Sequence, residues 1–307
     1  MRVITTTTAF SEALEAQRAL GRRVGLVPTM GSLHAGHRGL VARAAAECDV
    51  VAVTVFVNPL QFDAAEDLAR YPRDLEGDVA LAEAAGATVV FAPAVEEMYR
   101  GFPAPRATTV HVGGVAEVLE GAARPGHFDG VATVVTKLFS LAGSSRAYFG
   151  EKDYQQLAVV RTLVAELSLP VEVVACPTVR EPDGLALSSR NVRLSAAQRR
   201  AATALPRSLE AGRRALEEGV RDPGRVSAVM AEVLDGAEGV VPDYAVAVDA
   251  ATLVPPRRLE GEIRLLVAAT VGAVRLIDNV GVVVGEATTR SSPALPAVSA
   301  PVRGATP

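Results

Sequence analysis

Tryptophan is absent from this chain, and phenylalanine and tyrosine bring the aromatic share to only 4%. A core must therefore be packed with Val, Leu and Ala. Only two cysteines occur, Cys48 and Cys176, far apart and in no motif spacing. That leaves no disulfide framework and no cysteine zinc module, and it reads as spare thiols of a cytoplasmic protein. Charge of one sign is also missing: the formal net charge is −4. Neither a basic footprint for nucleic acid nor a polybasic membrane patch follows. No apolar run reaches membrane-spanning length, and "MRVITTTTAF" lacks the basic-then-apolar pattern of a secretory signal. What remains is a globular balance, 49% hydrophobic and 21% charged, with room in 307 residues for two domains.

The first half alternates strand and helix signals. Apolar, β-branched runs lie at 23–27, 49–57, 87–93, 146–150 and 171–176, with helical stretches at 37–47, 74–85, 131–142 and 153–167. Leu157, Val160, Val164 and Leu167 recur at helical spacing in the last of these. Near-continuous apolar strands separated by helices predict a parallel sheet covered on both faces, a Rossmann-like doubly wound α/β fold. After about residue 177 the texture changes. "PTVREPDGLALSSRN" (177–191) reads as a linker plus a functional loop. Ser195 and Gln198 have capping-box spacing ahead of a helix running to about Glu218, a second helix follows near 224–235, and alternating segments at 242–250, 262–272 and 274–280 predict a small antiparallel sheet. The expected division is a Rossmann-like nucleotide-binding domain over 1–177 and a smaller α+β domain over 178–286. The Pro-, Ala- and Ser-rich tail 287–307 is expected to be disordered. No internal repeat is present.

Half of the four histidines fall in "PTMGSLHAGH" (28–37), directly after a strand signal. A strand that ends in a glycine turn and opens a helix presents free N–H groups and a positive dipole end, which suits phosphate. His34 and His37, three apart, would share one face there, as phosphate donors, as an N-cap residue or as a metal pair. In "FVNPLQF" (56–62) the Asn58-Pro59 turn would project Gln61 from the carboxyl edge of the sheet, or leave it a surface glutamine. In "FGEKDYQQL" (149–157) Lys152 suits a phosphate and Asp153 a ribose, although Asp153 and Gln156 also have capping-box spacing. "LALSSRN" (185–191) offers two hydroxyls and a guanidinium, as an anion-gripping lid or a polar linker. Arg124 and His127 in "RPGHFDGV" would reach an anionic ligand or organise a loop.

Together with "DLARYPRDLEGD" and "VRLIDNV", these stretches resemble the pantoate–β-alanine ligase family over about 10–280, in the family's order and spacing. The histidine pair alone resembles the wider HIGH-motif nucleotidyltransferases. The resemblance implies a ligase of pantothenate biosynthesis: pantoate attacks the α-phosphorus of ATP, and β-alanine then attacks the pantoyl-adenylate, releasing AMP and pantothenate. By the same resemblance Met30, Gly31, Ser32, Leu33, His34, Ala35, Gly36 and His37 contact ATP, with His37 as the proton donor. Gly150, Glu151, Lys152 and Asp153 contact phosphate and ribose, and Val179 and Leu187 lie near adenine. Ser188, Ser189 and Arg190 form the phosphate-gripping loop; His34, His37, Lys152 and Arg190 are the expected catalytic set; Gln61 and Gln156 hold pantoate. Mg²⁺ is expected mainly on the ATP phosphates, with neither Asp74 nor Asp78 assigned as a ligand. A homodimer is implied, with a second domain closing to keep water from the adenylate. Departures are few: Ala35 stands where many relatives carry glutamate, Arg193 where an aromatic is common, and the threonine-rich start reads as peripheral. The rivals are a nucleotidylyltransferase acting on a phosphate substrate, against which the neutral Gln61 and Gln156 speak, and a non-catalytic ATP-binding module.

Overall fold

The computed structural model describes residues 1–62 and 65–285; the tail expected to be disordered lies outside the described residues. Six strands, β1 (Arg2–Ile4), β2 (Val24–Thr29), β3 (Val50–Val55), β4 (Val89–Phe91), β5 (Ser145–Gly150) and β6 (Val171–Cys176), form one parallel sheet in the order β1-β4-β3-β2-β5-β6. β3, "VVAVTV", is buried at all but its last position, as a strand covered on both faces requires. The cover comes from α1 (Thr7–Ala19), α2 (Ala35–Glu47), α4 (Leu75–Ala84), α7 (His127–Ala142) and α8 (Tyr154–Glu166), with three short helices between them, α3 (Ala65–Arg70), α5 (Val95–Met98) and α6 (Glu120–Ala123). From β2 the chain winds outward through β3 and β4, then returns to place β5 on the other side of β2. The winding therefore reverses between β2 and β5, and the crevice outside their carboxyl ends is where such a sheet binds ligands.

β1 and α1 extend the expected fold. The threonine-rich start is not peripheral: Arg2 to Ile4 pair with Val89 to Phe91, and the N–H and hydroxyl of Thr7 both donate to Glu97 Oε1, at 2.7 and 2.6 Å. Phe10 of α1 stacks on Phe91 with ring centroids 4.3 Å apart. A three-residue edge strand carries no periodicity of its own, and its partner lies almost ninety positions away.

The second sheet is antiparallel, β7 (Val240–Asp249), β8 (Gly261–Val271) and β9 (Val274–Val284), packed against α10 (Ala204–Glu217) and α11 (Pro223–Asp235). The Ser195–Gln198 capping box forms and opens α9 (Ala196–Ala202). The single long helix expected to follow is instead divided at Thr203. Pro206 explains the division, because it has no N–H for the Ala202 carbonyl and its ring crowds that oxygen. The apolar cluster of the first sheet also takes in Val248, Ala250, Leu253 and Leu266, so the two sheets share buried surface.

Candidate functional site

All four motif-bearing loops leave carboxyl ends of the parallel sheet: after β2, β3, β5 and β6. After β2, Gly31 (φ +84°) and Ser32 (φ +53°) turn the backbone through the left-handed region. A Cβ on Gly31 would sit 2.7 Å from Asp78 Oδ2, so glycine is needed for space as well. Asp78, 4% exposed on α4, accepts from the N–H groups of Ser32 (3.0 Å) and Leu33 (2.6 Å). Asp74 caps α4 by accepting from Gly77 N at 3.0 Å. Both aspartates of the acidic stretch therefore have structural partners.

His34 is the N-cap of α2, and the two imidazoles cap reciprocally. His34 Nδ1 accepts from Gly36 N (3.1 Å), and His37 Nδ1 accepts from His34 N (3.3 Å), with ring centroids 4.1 Å apart. An amide N–H can only donate, so each Nδ1 is unprotonated and each neutral ring carries its proton on Nε2. Capping, one of the roles that competed in the sequence, occupies only Nδ1 of each ring and leaves the Nε2–H edges uncommitted among the described residues. Burial, then the neighbouring His34, depresses the pKa of His37 to about 4. His34 is lowered by burial and by Lys152, with Asp153 opposing.

After β5, a 3₁₀ turn (Glu151–Asp153) leads into α8, and Lys152 Nζ lies 3.4 Å from Asp153 Oδ1. Asp153 is an exposed residue, its carboxylate half open to water. Crowding raises its pKa, but Lys152 and Arg190 outweigh that and leave it below the ordinary value. The capping box considered between Asp153 and Gln156 does not form, because Asp153 makes no side-chain cap. Gln156 is half-buried and without a side-chain partner among the described residues. Its neighbour Gln155 is buried and spent: it accepts from Glu120 N (2.9 Å) and donates to Val115 O (2.8 Å) and Val118 O (2.7 Å).

After β3, Gln61 ends a 3₁₀ turn (Pro59–Gln61) and is 8% exposed, so it is not a surface glutamine. Asn58 Nδ2 donates to Gln61 Oε1 and to Gly130 O, both at 3.0 Å, and Asn58 Oδ1 accepts from Tyr99 OH at 2.9 Å. With its oxygen held by Asn58, Gln61 has its NH₂ uncommitted among the described residues. Gly130 permits this approach, since a Cβ there would run into the Leu60 carbonyl. Arg124 (3.2 Å) and His127 Nδ1 (2.9 Å) meet the backbone oxygen of Gln61, which is the loop-organising alternative.

After β6, Val179 O accepts from Leu187 N (2.9 Å), folding the next loop back over the first turn of α2. A Cβ built on Gly36 would touch Leu187, and one on Gly39 would touch Val179. Ser188 caps the 3₁₀ turn Ser189–Arg193 by accepting from Arg190 N at 3.2 Å, leaving Ser189 and the Arg190 guanidinium exposed and the latter unpaired among the described residues. Arg193, at the position where the resemblance has an aromatic, is also exposed.

Lys152, Ser188 and Arg190 line one narrow cleft with Leu276 and Ile277 of β9. The charge of Asp153 is felt by His34 and His37, which gathers the histidines, the "GEKD" turn and Arg190 into one crevice. Gln61 belongs to the Asn58–Tyr99–Gly130 network. Asp78, Asn58 and Tyr99 had no site role in the sequence reading. Asn58 was visible there only as a turn residue, and what it fixes depends on Tyr99, 41 positions away.

The family described as pantoate-beta-alanine ligase matches this chain over residues 2–281. A pantothenate synthetase of Cereibacter sphaeroides is 54% identical over 266 residues, covering 86% of this chain and 94% of that protein. One of Rhizobium etli is 48% identical over 279 residues, covering 91% and 93%. Among solved structures, pantothenate synthetase of Thermus thermophilus superposes with a TM-score of 0.84 at 49% identity, covering 91% of this chain and 99% of that one. The pantoate-beta-alanine ligase of Francisella tularensis, complexed with beta-gamma ATP and beta-alanine, gives 0.73 at 31% identity, covering 91% and 97%.

Proposed function

The chain belongs to the pantoate–β-alanine ligase family, and from that premise we propose which of its residues carry the family's reaction. The enzyme condenses pantoate with β-alanine at the expense of ATP, through pantoyl-adenylate, with release of pyrophosphate and then AMP. Adenylation needs little covalent help from protein; position and charge stabilisation dominate. The observation that carries the assignment is the reciprocal histidine cap. It pins Nδ1 of His34 and His37 and presents two neutral Nε2–H donors at the switch point of the sheet. These donors, with Lys152, Arg190, Ser188 and Ser189, stabilise negative charge on the phosphates as pyrophosphate leaves. His37 acts as a hydrogen-bond donor rather than an imidazolium acid, given its depressed pKa.

Asp153 takes the ribose, Val179 and Leu187 cover adenine, and the Met30–His37 turn and Gly150–Glu151 complete the nucleotide contacts. The fixed NH₂ of Gln61 and the amide of Gln156, unpartnered among the described residues, hold the pantoate hydroxyl and carboxylate, turning the carboxylate toward the α-phosphorus. Magnesium enters with ATP as part of the substrate: Asp78 already accepts two backbone N–H groups and Asp74 caps a helix, so the phosphate oxygens are its main ligands. We further propose the division into a nucleotide-binding domain over 1–177 and a smaller domain from 178, a homodimer through the former, and a cytoplasmic setting, which suits two buried free thiols.

Pantoate labelled with ¹⁸O in its carboxylate tests the adenylate. The α-phosphorus route delivers one labelled oxygen to AMP. Label appearing in orthophosphate, or none in AMP, would overturn it.

A further inference from the structure

"VRLIDNV" has so far lent only Leu276 and Ile277 to the wall of the cleft. In the fold it forms part of β9, and Asn279, 3% exposed, reaches from the second sheet to the "GEKD" turn of the first. Its Nδ2 donates to two consecutive carbonyls, Glu151 O at 3.0 Å and Lys152 O at 2.8 Å. Its Oδ1 accepts from Arg264 Nε at 2.7 Å. Arg264 in turn donates from Nη2 to Glu151 Oε2 at 2.9 Å and lies over the Tyr154 ring, 3.9 Å from its centroid. Both amide protons are thus spent on the two peptide planes from which the Lys152 side chain departs, and the amide itself cannot turn.

Such an asparagine could serve only to join the sheets, but that join has other means. Val248 and Leu266 lie in the shared apolar cluster, and Arg275 grips Glu120 with two bonds of 2.6 and 2.8 Å. What Asn279 supplies is a pair of bonds to the backbone carbonyls of the lysine-bearing turn, which Arg264 reaches through the Glu151 side chain. We infer that Asn279 is a positioning residue for Lys152, aiming the ammonium at the nucleotide phosphates from the opposite sheet. This rests on the assignment of Lys152 as a phosphate contact.

A double-mutant cycle with Lys152→Ala and Asn279→Asp separates the two claims. Asn279→Asp keeps an oxygen for Arg264 but faces the two carbonyls with an acceptor instead of a donor. The readout is pantoate-dependent ATP–pyrophosphate exchange, with cooperative unfolding checked for each protein. In wild type, Asn279→Asp is expected to lower kcat about 10- to 100-fold, the cost of a misplacement near 1 Å. The KM for pantoate, which Gln61 and Gln156 hold from outside the turn, should change less than about threefold, since uniform binding is untouched. In the Lys152→Ala background the same substitution should cost less than about threefold, because the group it positions is gone. An undiminished loss there, or a wild-type rate for Asn279→Asp alone, overturns the inference. A wild-type rate for Lys152→Ala refutes instead the underlying role of Lys152. Should Asn279→Asp fail to fold, Asn279→Ser takes its place in the cycle; failure of both makes Asn279 a folding residue and the inference falls.

Discussion

Replacing His37 by glutamine separates the capping function of this residue from its titration. Glutamine at the third helical position reaches back to the N-cap N–H, so the turn keeps its geometry while the ionisable ring is lost. In the native enzyme the ring titrates at about 4, against 6.5 for an unperturbed histidine. The folded value is the lower one, so the unfolded chain binds the proton first. This contribution is therefore fully present above about pH 6.5 and is lost as the pH falls toward 4. At ~1.4 kcal/mol per pH unit the gap amounts to about 3 kcal/mol. The ring edge meets water in the crevice, which reduces the working figure to about 2 kcal/mol. Urea unfolding followed by circular dichroism at pH 7.5 and pH 4.5, on wild type and His37→Gln, measures it directly. The wild type should lose about 2 kcal/mol more than the variant between the two conditions, all other titrations cancelling in the difference. Equal losses in the two proteins would refute a buried, neutral His37.

Three further substitutions probe the walls of the crevice. Asp78→Asn should cost about 2 kcal/mol by denaturant unfolding, because one of two charge-assisted bonds to the Ser32–Leu33 backbone is replaced by a donor facing a donor. It should also raise the KM for MgATP. Arg190→Ala should leave stability within about 0.5 kcal/mol, since the guanidinium is exposed and unpaired among the described residues, while exchange falls at least about 10-fold. Gly130→Ala should destabilise by about 1–3 kcal/mol and raise the KM for pantoate, as the added methyl meets the Leu60 carbonyl and shifts Gln61.

What was legible in the sequence is what short stretches encode. Valine-rich runs such as β3 are buried on both faces wherever they sit, and a glycine turn ahead of "HAGH" announces a helix start. The Ser195–Gln198 cap was readable because both partners lie within one turn. β1 was not, because its pairing partner is β4. Asp78 could be noticed as acidic but not as the support of Ser32, 46 positions away. The twin glutamines 155 and 156 look alike in sequence; only packing buries one among carbonyls and leaves the other open to the crevice. The division of labour within each histidine ring likewise appears only once the backbone N–H groups are placed.

The most direct test of the account is the incorporation of labelled pyrophosphate into ATP with Mg²⁺ and pantoate present and β-alanine omitted. Wild type should exchange only when pantoate is added, and folded His37→Ala should fall about 10²- to 10³-fold, the usual cost of one well-placed donor to developing charge. Exchange independent of pantoate, or undiminished in His37→Ala, would contradict an adenylate formed beneath the paired imidazoles.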